Sequence, residues 1–168
     1  KQWNIQNGLP SQSLKSIAQD EQGYMWLGTQ FGLSRFDGNT FTNFNTQNSD
    51  FLPSNGINKL LVDSTGLLWV GTKNGLVTLD PKTMMSQTFN VKGPVRDILE
   101  DSKGSIWIAA NGLYYVARNQ VTLNQNSALI VPVSNATAIT QIVGSVSQMA
   151  LSPEGIWLVN ERHLLRLT

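Results

Sequence analysis

The 168-residue chain contains no cysteine and a single histidine, His163. The absence of cysteine excludes disulfide frameworks and thiolate metal sites, and it is compatible with either an oxidising or a reducing compartment. Charged residues make up only 14% of the chain, and the formal net charge is +1. Because nucleic-acid binding depends on clustered basic residues, this composition argues against nucleic acid as a partner.

The residue sets of common enzymes are also missing. His163 has no second histidine with which to hold a metal ion, no serine stands in a Gly-x-Ser-x-Gly sequence, and there is no phosphate-binding loop. Most carboxylates fall at turn positions, so a pair suited to glycoside cleavage is not expected. We therefore predict no enzymatic activity, no cofactor and no metal ion for this segment.

Residues 119–153 carry no charged side chain. This stretch nevertheless contains polar and helix-breaking residues such as Pro132, Asn135 and Gln141, which argue against a membrane-spanning helix. We expect no direct membrane insertion by this segment, and the role of residues 119–153 stays open. Because the sequence starts at Lys1 without a secretion signal, we expect an excised or processed part of a longer protein.

Four of the five tryptophans recur at a regular spacing. Trp26, Trp69, Trp107 and Trp157 each follow a glycine by two or three residues, and each precedes a strand-like stretch. Shifting the sequence by 43 positions aligns the first unit with the second. The matched pairs are Leu9-Pro10-Ser11 with Leu52-Pro53-Ser54, Asp20 with Asp63, Gly23 with Gly66, Trp26 with Trp69, Gly28-Thr29 with Gly71-Thr72, Gly32-Leu33 with Gly75-Leu76 and Asp37 with Asp80.

A period near 40 residues made of short strands and glycine turns is typical of β-propeller blades. We predict an all-β propeller of about four blades, each with four antiparallel strands, in a single domain over residues 1–168. The predicted blades span approximately 14–44, 57–89, 95–123 and 146–168, the third of them ending in a weak strand at Val121–Leu123.

The fourth unit ends one strand short, while Trp3-Asn4-Ile5 precedes the first inner strand. We therefore expect residues 1–7 to form the outer strand of a closing or preceding blade, since closure removes exposed sheet edges. Alternatively, the chain is a contiguous part of a larger ring of seven or eight blades, or one half of a ring made by a homodimer.

The motif from Gly8-Leu9-Pro10-Ser11 through Asp20, Gly23 and Trp26-Leu27-Gly28-Thr29 to Gly32-Leu33 resembles the two-component regulator propeller repeat. The resemblance is strong in two units, moderate in the third, and limited to Gly155 and Trp157 in the fourth. It implies a periplasmic sensor region of a bacterial transmembrane receptor whose output module is a histidine kinase or a diguanylate cyclase. It also implies rings of about seven blades that perceive nutrients such as glycans.

The Asp-x-x-Gly-x-x-Trp motif is interpreted as structural rather than as a calcium site, because each aspartate has at most one neighbouring carboxylate and calcium needs about six oxygen ligands. An aspartate at the start of a turn accepts backbone hydrogen bonds, the glycine supplies a positive φ, and the tryptophan packs between blades. The predicted structural residues are Asp20, Gly23, Trp26, Asp63, Gly66, Trp69, Asp101, Gly104, Trp107, Gly155 and Trp157.

Loops that enter the first strand and join the second strand to the third meet on one face of a propeller, which is where we expect a ligand. The candidate ligand-binding residues on this face are Gln12, Lys15, Gln30, Phe31, Asn55, Asn58, Lys73, Asn74, Arg96, Asn111 and Arg162. Amide, basic and aromatic groups suit a small polar or carbohydrate ligand. The alternative function is a protein-interaction platform without a small-molecule ligand. The other expected partner is the rest of the parent receptor.

Overall fold

The computed structural model describes residues 2–118, 121, 132–133, 137–138, 145–161 and 163–167. A short 3-10 helix, Ile5–Asn7, is followed by strands only. The strands are β1 (Leu14–Gln19), β2 (Met25–Thr29), β3 (Gly32–Phe36), β4 (Phe41–Phe44), β5 (Ile57–Val62), β6 (Leu68–Thr72), β7 (Gly75–Leu79), β8 (Ser86–Phe89), β9 (Asp97–Glu100), β10 (Ile106–Ala110), β11 (Gly112–Val116), β12 (Pro132–Val133), β13 (Thr137–Ala138), β14 (Val146–Ser152), β15 (Gly155–Asn160) and β16 (Leu164–Leu167).

The strands form four antiparallel sheets in which strands adjacent in sequence are neighbours, and we refer to them as blades 1 to 4. Blade 1 contains β1–β4, blade 2 contains β5–β8, blade 3 contains β9–β11 with β13 at its edge, and blade 4 contains β14–β16. Strand β12 adds to the outer edge of blade 2, parallel to β8. The first strands β1, β5, β9 and β14 follow one another side by side, so the blades pack face to face around their inner strands.

Burial along the strands reflects this face-to-face packing. Every residue of β6 and β7 is buried, because blade 2 lies between blades 1 and 3. Strand β1 instead alternates between exposed and half-buried residues over its last four positions. A sheet covered on both faces reads as a continuous apolar run, whereas a sheet covered on one face alternates. Blade 2 is therefore the most enclosed sheet in the described part of the chain.

Three apolar clusters fill the spaces between successive blades. Trp26, Leu33 and Ile57 belong to the cluster between blades 1 and 2. Trp69 and Ile98 belong to the cluster between blades 2 and 3, and the third cluster, between blades 3 and 4, is smaller. Blades 1 to 3 thus each bury their tryptophan-bearing face against the first strand of the next blade.

The repeat pattern of the sequence also predicts the first three strands of each blade, for example Ile57–Val62 and Leu68–Thr72 in blade 2. The structure has β5 and β6 at these bounds, and the bounds of the other first, second and third strands differ from the prediction by at most two residues. The fold class, an all-β propeller with blades of antiparallel strands, is thereby confirmed.

The predicted strand within residues 1–7 is wrong. Ile5–Asn7 forms a 3-10 helix in which the Asn4 side chain accepts a hydrogen bond from the Gln6 amide and the Asn7 side chain accepts one from the Asn4 amide. Gly8 ends the helix with φ +102°. Because the asparagine side chains satisfy these backbone groups locally, the segment has no need of a strand partner.

The outer strand predicted at Val121–Leu123 is also corrected. Val121 is not in a strand, and its partly buried side chain packs against the cluster between blades 2 and 3. Residues 122 and 123 lie outside the described residues. The position beside β11 is taken by Thr137–Ala138, which pairs with Tyr114 and Tyr115.

Candidate functional site

The strand register gives the blades two distinct edges. Leu14 pairs with Thr29, and Ile57 pairs with Thr72, so each first strand begins where the second strand ends. The loops that enter the first strands and the turns between second and third strands therefore share one edge, which we call the upper edge. The opposite, lower edge carries the turns that begin at Asp20, Asp63, Asp101 and Ser152.

Threonines at the ends of β2 and β6 shape the turns of the upper edge. The Thr29 hydroxyl donates to the Gly32 carbonyl at 2.9 Å and accepts a hydrogen bond from the Phe31 amide at 3.0 Å. Thr72 makes the equivalent pair of bonds in blade 2. Gly32 has a φ of +140°, which favours glycine at this position. The turn thereby directs Phe31 into solvent, where its side chain is 59% exposed.

The candidate ligand-binding residues that the structure describes all lie on the upper edge or at the upper ends of the first strands. Seven of them are exposed to solvent and three are half-buried, and Arg162 lies outside the described residues. The exposed ones are Gln12, Lys15, Gln30, Phe31, Lys73, Asn74 and Asn111, and the half-buried ones are Asn55, Asn58 and Arg96.

The side-chain contacts of these candidates show which of them stay available to a ligand and which hold parts of the scaffold together. Arg96 Nη1 donates to Asn111 Oδ1 at 3.2 Å, so these two side chains present one combined polar surface. Asn58 Nδ2 donates to the Val95 carbonyl at 2.9 Å, and Asn55 Oδ1 accepts from the Thr46 amide at 2.7 Å. Asn55 and Asn58 therefore hold the scaffold together, which leaves their side chains less available to a ligand.

On the lower edge, each of the first three blades carries the same aspartate–tryptophan contact. The indole Nε1 groups of Trp26 and Trp69 donate to Oδ2 of Asp20 and Asp63 at 2.7 Å. The other oxygen of each aspartate accepts backbone amides two and four residues further on, for example those of Thr65 and Leu67 after Asp63. Each carboxylate therefore closes its turn and fixes the indole.

The third of these contacts, in blade 3, helps to lower the pKa of Asp101. Trp107 Nε1 donates to Asp101 Oδ2 at 2.9 Å, and the Lys103 and Ser105 amides donate to Oδ1. Burial disfavours the ionised Asp101, but the hydrogen bonds from Trp107 and the two amides outweigh burial and lower the pKa of this carboxyl. Both oxygens of this carboxylate accept hydrogen bonds from protein donors.

A cavity of about 600 Å³ opens at the lower edge between blades 3 and 4, which sequence reasoning missed. Its apolar lining includes Trp107, Leu151 and Ile156, and its polar lining includes Lys103 and Glu154. The signal in the sequence is the tightened Ser152-Pro153-Glu154-Gly155 turn, which is shorter than the aspartate turns of the other blades.

The equivalent spaces between the other blades are occupied to a greater extent by side chains. Between blades 1 and 2, Glu21 lies against Gly66 and accepts from Lys82 Nζ at 2.9 Å. Between blades 2 and 3, Ser64 bonds to Glu100, and Arg118 lies against Gly104, which leaves a cavity of about 140 Å³. Blades 2 and 3 both carry a serine, Ser64 and Ser102, at the position of Glu21, and Arg118 occupies the space beside Ser64.

Within the part of the chain that the structure describes, no group of three or more histidine, aspartate or glutamate residues is arranged to hold a metal ion. His163 is exposed at the turn between β15 and β16. No helix among the described residues is long and apolar enough to cross a membrane.

The fold and the repeated contacts define a class of protein: packed four-stranded antiparallel sheets, each held by a tryptophan against the next, are the blades of a β-propeller. Three segments, residues 8–31, 52–74 and 91–112, match the family described as the two component regulator propeller. The chain therefore contains three segments that are similar to the repeat of this family.

Solved structures of similar fold include extracellular domains of two component and one component systems, and lyases. The extracellular domain of BT3049, described as a hybrid two component system of B. thetaiotaomicron, has a TM-score of 0.70 at 18% identity over 100% of this chain and 26% of its own. The extracellular domain of BT4673, described as a one component system of the same organism, has a TM-score of 0.70 at 20% identity. The match covers 94% of this chain and 21% of the BT4673 chain. A catalytically inactive virginiamycin B lyase variant from Staphylococcus aureus has a TM-score of 0.55 at 13% identity, and the match covers 90% of this chain and 64% of the lyase.

The chain thus spans about a quarter of the length of the two extracellular domains. No curated protein matches its sequence. At these levels of identity the solved structures establish the propeller fold.

Proposed function

We propose that this chain is a ligand-sensing region of the extracytoplasmic, periplasmic part of a bacterial transmembrane receptor, with a histidine kinase or diguanylate cyclase as its output. The observation that carries the proposal is the triple match to the two component regulator propeller family. The similarity in fold to extracellular domains described as hybrid and one component systems supports it.

The upper edge is the proposed binding face. Lys15, Gln30, Phe31 and Lys73 are exposed there, and Arg96 with Asn111 adds a paired guanidinium and amide. Hydrogen-bond donors beside one exposed aromatic ring suit a hydroxyl-rich or anionic ligand of small size. A carbohydrate has this chemistry, because its hydroxyl groups pair with amides and cations while a C–H face stacks on a ring.

A binding role without catalysis is favoured by the side chains available. One lyase of similar fold becomes catalytically inactive in a variant that replaces a histidine by alanine. The one histidine of this sequence, His163, is an exposed turn residue whose backbone amide donates to Asn160 Oδ1. We infer that the segment contributes binding energy, and that signalling follows from a difference in ligand affinity between two receptor states.

The test replaces Lys15, Phe31, Lys73 and Arg96 singly by alanine in the full-length receptor. A reporter of receptor output is measured against ligand concentration, and the melting temperature of the domain is measured in parallel. We expect a shifted ligand response with a melting temperature within about 2 °C of the parent, since substitutions at surface positions outside the apolar clusters change stability little. Gln22→Ala, at an exposed position in the turn between β1 and β2 on the lower edge, is the matched control.

An unchanged response in all four variants would remove the upper edge as the sensing face. That result would favour the alternative function, a protein-interaction platform without a small-molecule ligand.

A further inference from the structure

Charged side chains are distributed unevenly between the two edges of the blades. Most carboxylates lie in the turns of the lower edge, where Lys82 also pairs with Glu21 at 2.9 Å. On the upper edge, the loop that enters blade 3 carries two basic residues, Lys92 and Arg96. We refer to residues 92–96 as the basic loop. Its positive charge attracts anions to the upper edge of a chain whose formal net charge is only +1.

The basic loop is folded around the turn between β10 and β11. The Asn111 amide donates to the Lys92 carbonyl at 3.3 Å, and Asn111 Oδ1 accepts from Arg96 Nη1 at 3.2 Å. The Asn111 side chain lies directly over Gly93, because a Cβ atom placed on Gly93 would be 2.3 Å from Asn111 Nδ2. Gly93 has a φ of +79°, which favours glycine at this position. Asn111 thus ties both ends of the basic loop to one turn.

Further backbone contacts fix the position of Arg96. The Arg96 amide donates to the Ala109 carbonyl at 2.8 Å, and the Val95 amide donates to the Thr72 carbonyl at 2.9 Å. The Val95 side chain is buried against Gly71 of the preceding blade. The half-buried Arg96 side chain therefore extends from an anchored backbone, which lowers the entropic cost of binding a ligand.

The side-chain polar groups of the basic loop and of Asn111 are nearly all hydrogen-bond donors. Arg96 has further N–H groups besides the one that binds Asn111, and the Lys92 ammonium has three. Asn111 Oδ1, the acceptor among these groups, already accepts from Arg96. An anionic group with several oxygen atoms fits such a set of donors better than a neutral hydroxyl, which also needs an acceptor for its own proton.

The carboxylate next to Arg96 in the sequence, Asp97, does not neutralise the basic loop. Asp97 Oδ1 pairs with Lys59 Nζ at 2.8 Å, and Asp97 Oδ2 accepts from the Met149 amide at 2.9 Å. Among the described residues, no carboxylate forms an ion pair with Lys92 or Arg96. Both cations therefore keep their charge for a ligand.

The equivalent loop between blades 1 and 2 shows that the scaffold does not need this charge. Ile57 and Val95 occupy equivalent positions, each against a glycine of the preceding blade. Counting from these two residues, the basic pair corresponds to Ser54 and Asn58, which are both neutral. Because blade 2 packs on blade 1 without a cation at either position, blade packing alone does not explain the basic pair.

We propose that Lys92, Arg96 and Asn111 form a binding site for the sulfate or phosphate group of a small ligand on the upper edge of blade 3. Both groups present several negatively charged oxygen atoms, which is the chemistry that this site selects. Arg96 supplies a planar fork of donors, Lys92 supplies a point charge, and Asn111 orients Arg96. The inference rests on the proposed function for its role in sensing, and it assigns an acidic ligand to the upper edge.

Matched charged and neutral sugars test the chemistry. Glucose and its sulfate and phosphate esters at the primary hydroxyl are titrated into the chain by calorimetry, with inorganic sulfate and phosphate as probes of the ion alone. We expect both esters to bind at least about 10-fold more tightly than glucose, since charge-assisted hydrogen bonds are the stronger ones. Absence of binding by either ester, or affinity equal to that of glucose, would overturn the proposal.

The free ions distinguish two sources of the same charged group. An ester that binds more tightly than the matching inorganic ion identifies a charged sugar as the ligand. Equal affinities also support the site, and they assign it to the free ion.

Substitutions separate a defined site from general attraction by positive charge. Arg96→Gln and Lys92→Gln should each weaken binding of the esters by at least about 5-fold. Lys103→Gln removes the same charge from the lower edge, and at physiological salt it should change the affinity by less than about 2-fold. Asn111→Ala leaves the net charge unchanged but should still weaken binding by about 3-fold, because Arg96 loses its partner.

Equal effects of Arg96→Gln, Lys92→Gln and Lys103→Gln would show general charge attraction and overturn the site. The melting temperature of each variant is measured in parallel. Lys92 is exposed, so Lys92→Gln tests the site even if Asn111→Ala weakens the fold.

Receptor output separates this inference from the proposed function. Binding of an ester that depends on Arg96, without any response of the full-length receptor to that ester, would overturn the sensing role and leave the site in place. A receptor that responds to a neutral sugar, and whose response Arg96→Gln and Lys92→Gln leave unchanged, would overturn the site and retain the sensing role.

Discussion

The tryptophans at equivalent positions of blades 2 and 4, Trp69 and Trp157, have different surroundings. Trp69 is fully buried, stacks on Phe89 with ring centroids 5.2 Å apart, and donates its Nε1 hydrogen to Asp63. Trp157 is half-buried, and its ring lies beneath the Arg166 guanidinium at 5.5 Å. The repeat motif therefore fixes the position of the indole in the sheet, while the turn and the following blade determine how much the indole stabilises the fold.

The largest expected effect is the loss of a buried indole. Trp69→Ala should lower the free energy of unfolding by about 3–5 kcal/mol, because it leaves a cavity between blades 2 and 3. Trp157→Ala should cost about 1 kcal/mol or less, since its indole is already half in solvent. Thermal unfolding of both variants measures the difference, and equal melting temperatures would contradict the contrast between the blades.

The aspartate turn should have the second largest effect. Asp63 accepts hydrogen bonds from Thr65, Leu67 and Trp69, so Asp63→Ala should cost about 2–3 kcal/mol. Ser152 of blade 4 accepts one amide, that of Glu154, and Ser152→Ala should cost less than about 1 kcal/mol. Chemical denaturation measures both losses of unfolding free energy, with one common value for its dependence on denaturant concentration. If Asp63→Ala lowers the free energy of unfolding no more than Ser152→Ala does, the structural role of Asp63 is contradicted.

A smaller effect is expected from acid. Because the pKa of Asp101 is lowered in the folded state, its ionised form stabilises the fold above the unfolded-state pKa, and this contribution disappears as the pH falls through the folded-state pKa. The melting temperature should therefore fall below about pH 4, and Asp101→Asn should make this acid limb less steep. Ser152→Ala, in the blade without a turn aspartate, is the control that should leave the slope unchanged.

The smallest expected effect is that of removing metal ions. Both oxygens of each turn aspartate in blades 1 to 3 already accept amide or indole hydrogen bonds, as those of Asp20 do from Gln22, Tyr24 and Trp26. We expect a calcium chelator to leave the melting temperature unchanged within about 1 °C, since hard cations need several free oxygens. A drop on chelation, reversed by added calcium, would make blades 1 to 3 a metal-dependent part of the fold.

The sequence was sufficient to predict the strands, because glycine turns and apolar alternation are local signals. It did not predict the 3-10 helix at Ile5–Asn7, which depends on reciprocal side-chain bonds of Asn4 and Asn7. It also missed the replacement of Val121–Leu123 by Thr137–Ala138 at the edge of blade 3. Pairing across so many intervening residues is set by tertiary packing, which leaves no short-range pattern.

The sequence predicts which edge of the blades carries the candidate residues, but not which contacts their side chains make. Loop topology alone brings Phe31, Lys73 and Asn111 to the upper edge. The engagement of Asn58 with the Val95 carbonyl depends on how closely two first strands approach, and a single sequence does not report that distance. The cavity between blades 3 and 4 likewise depends on the reach of side chains across a blade boundary.

The side-by-side arrangement of the first strands has a consequence for local opening. Each blade makes its stabilising contacts with the blades immediately before and after it, so the array behaves as a chain of nearest-neighbour units. Blade 2 is held on both faces, whereas blades 1 and 4 each have one face that no blade among the described residues covers. Amide hydrogens of β6 and β7 should then exchange most slowly, and those of β15 and β16 much faster, because the array opens from its ends.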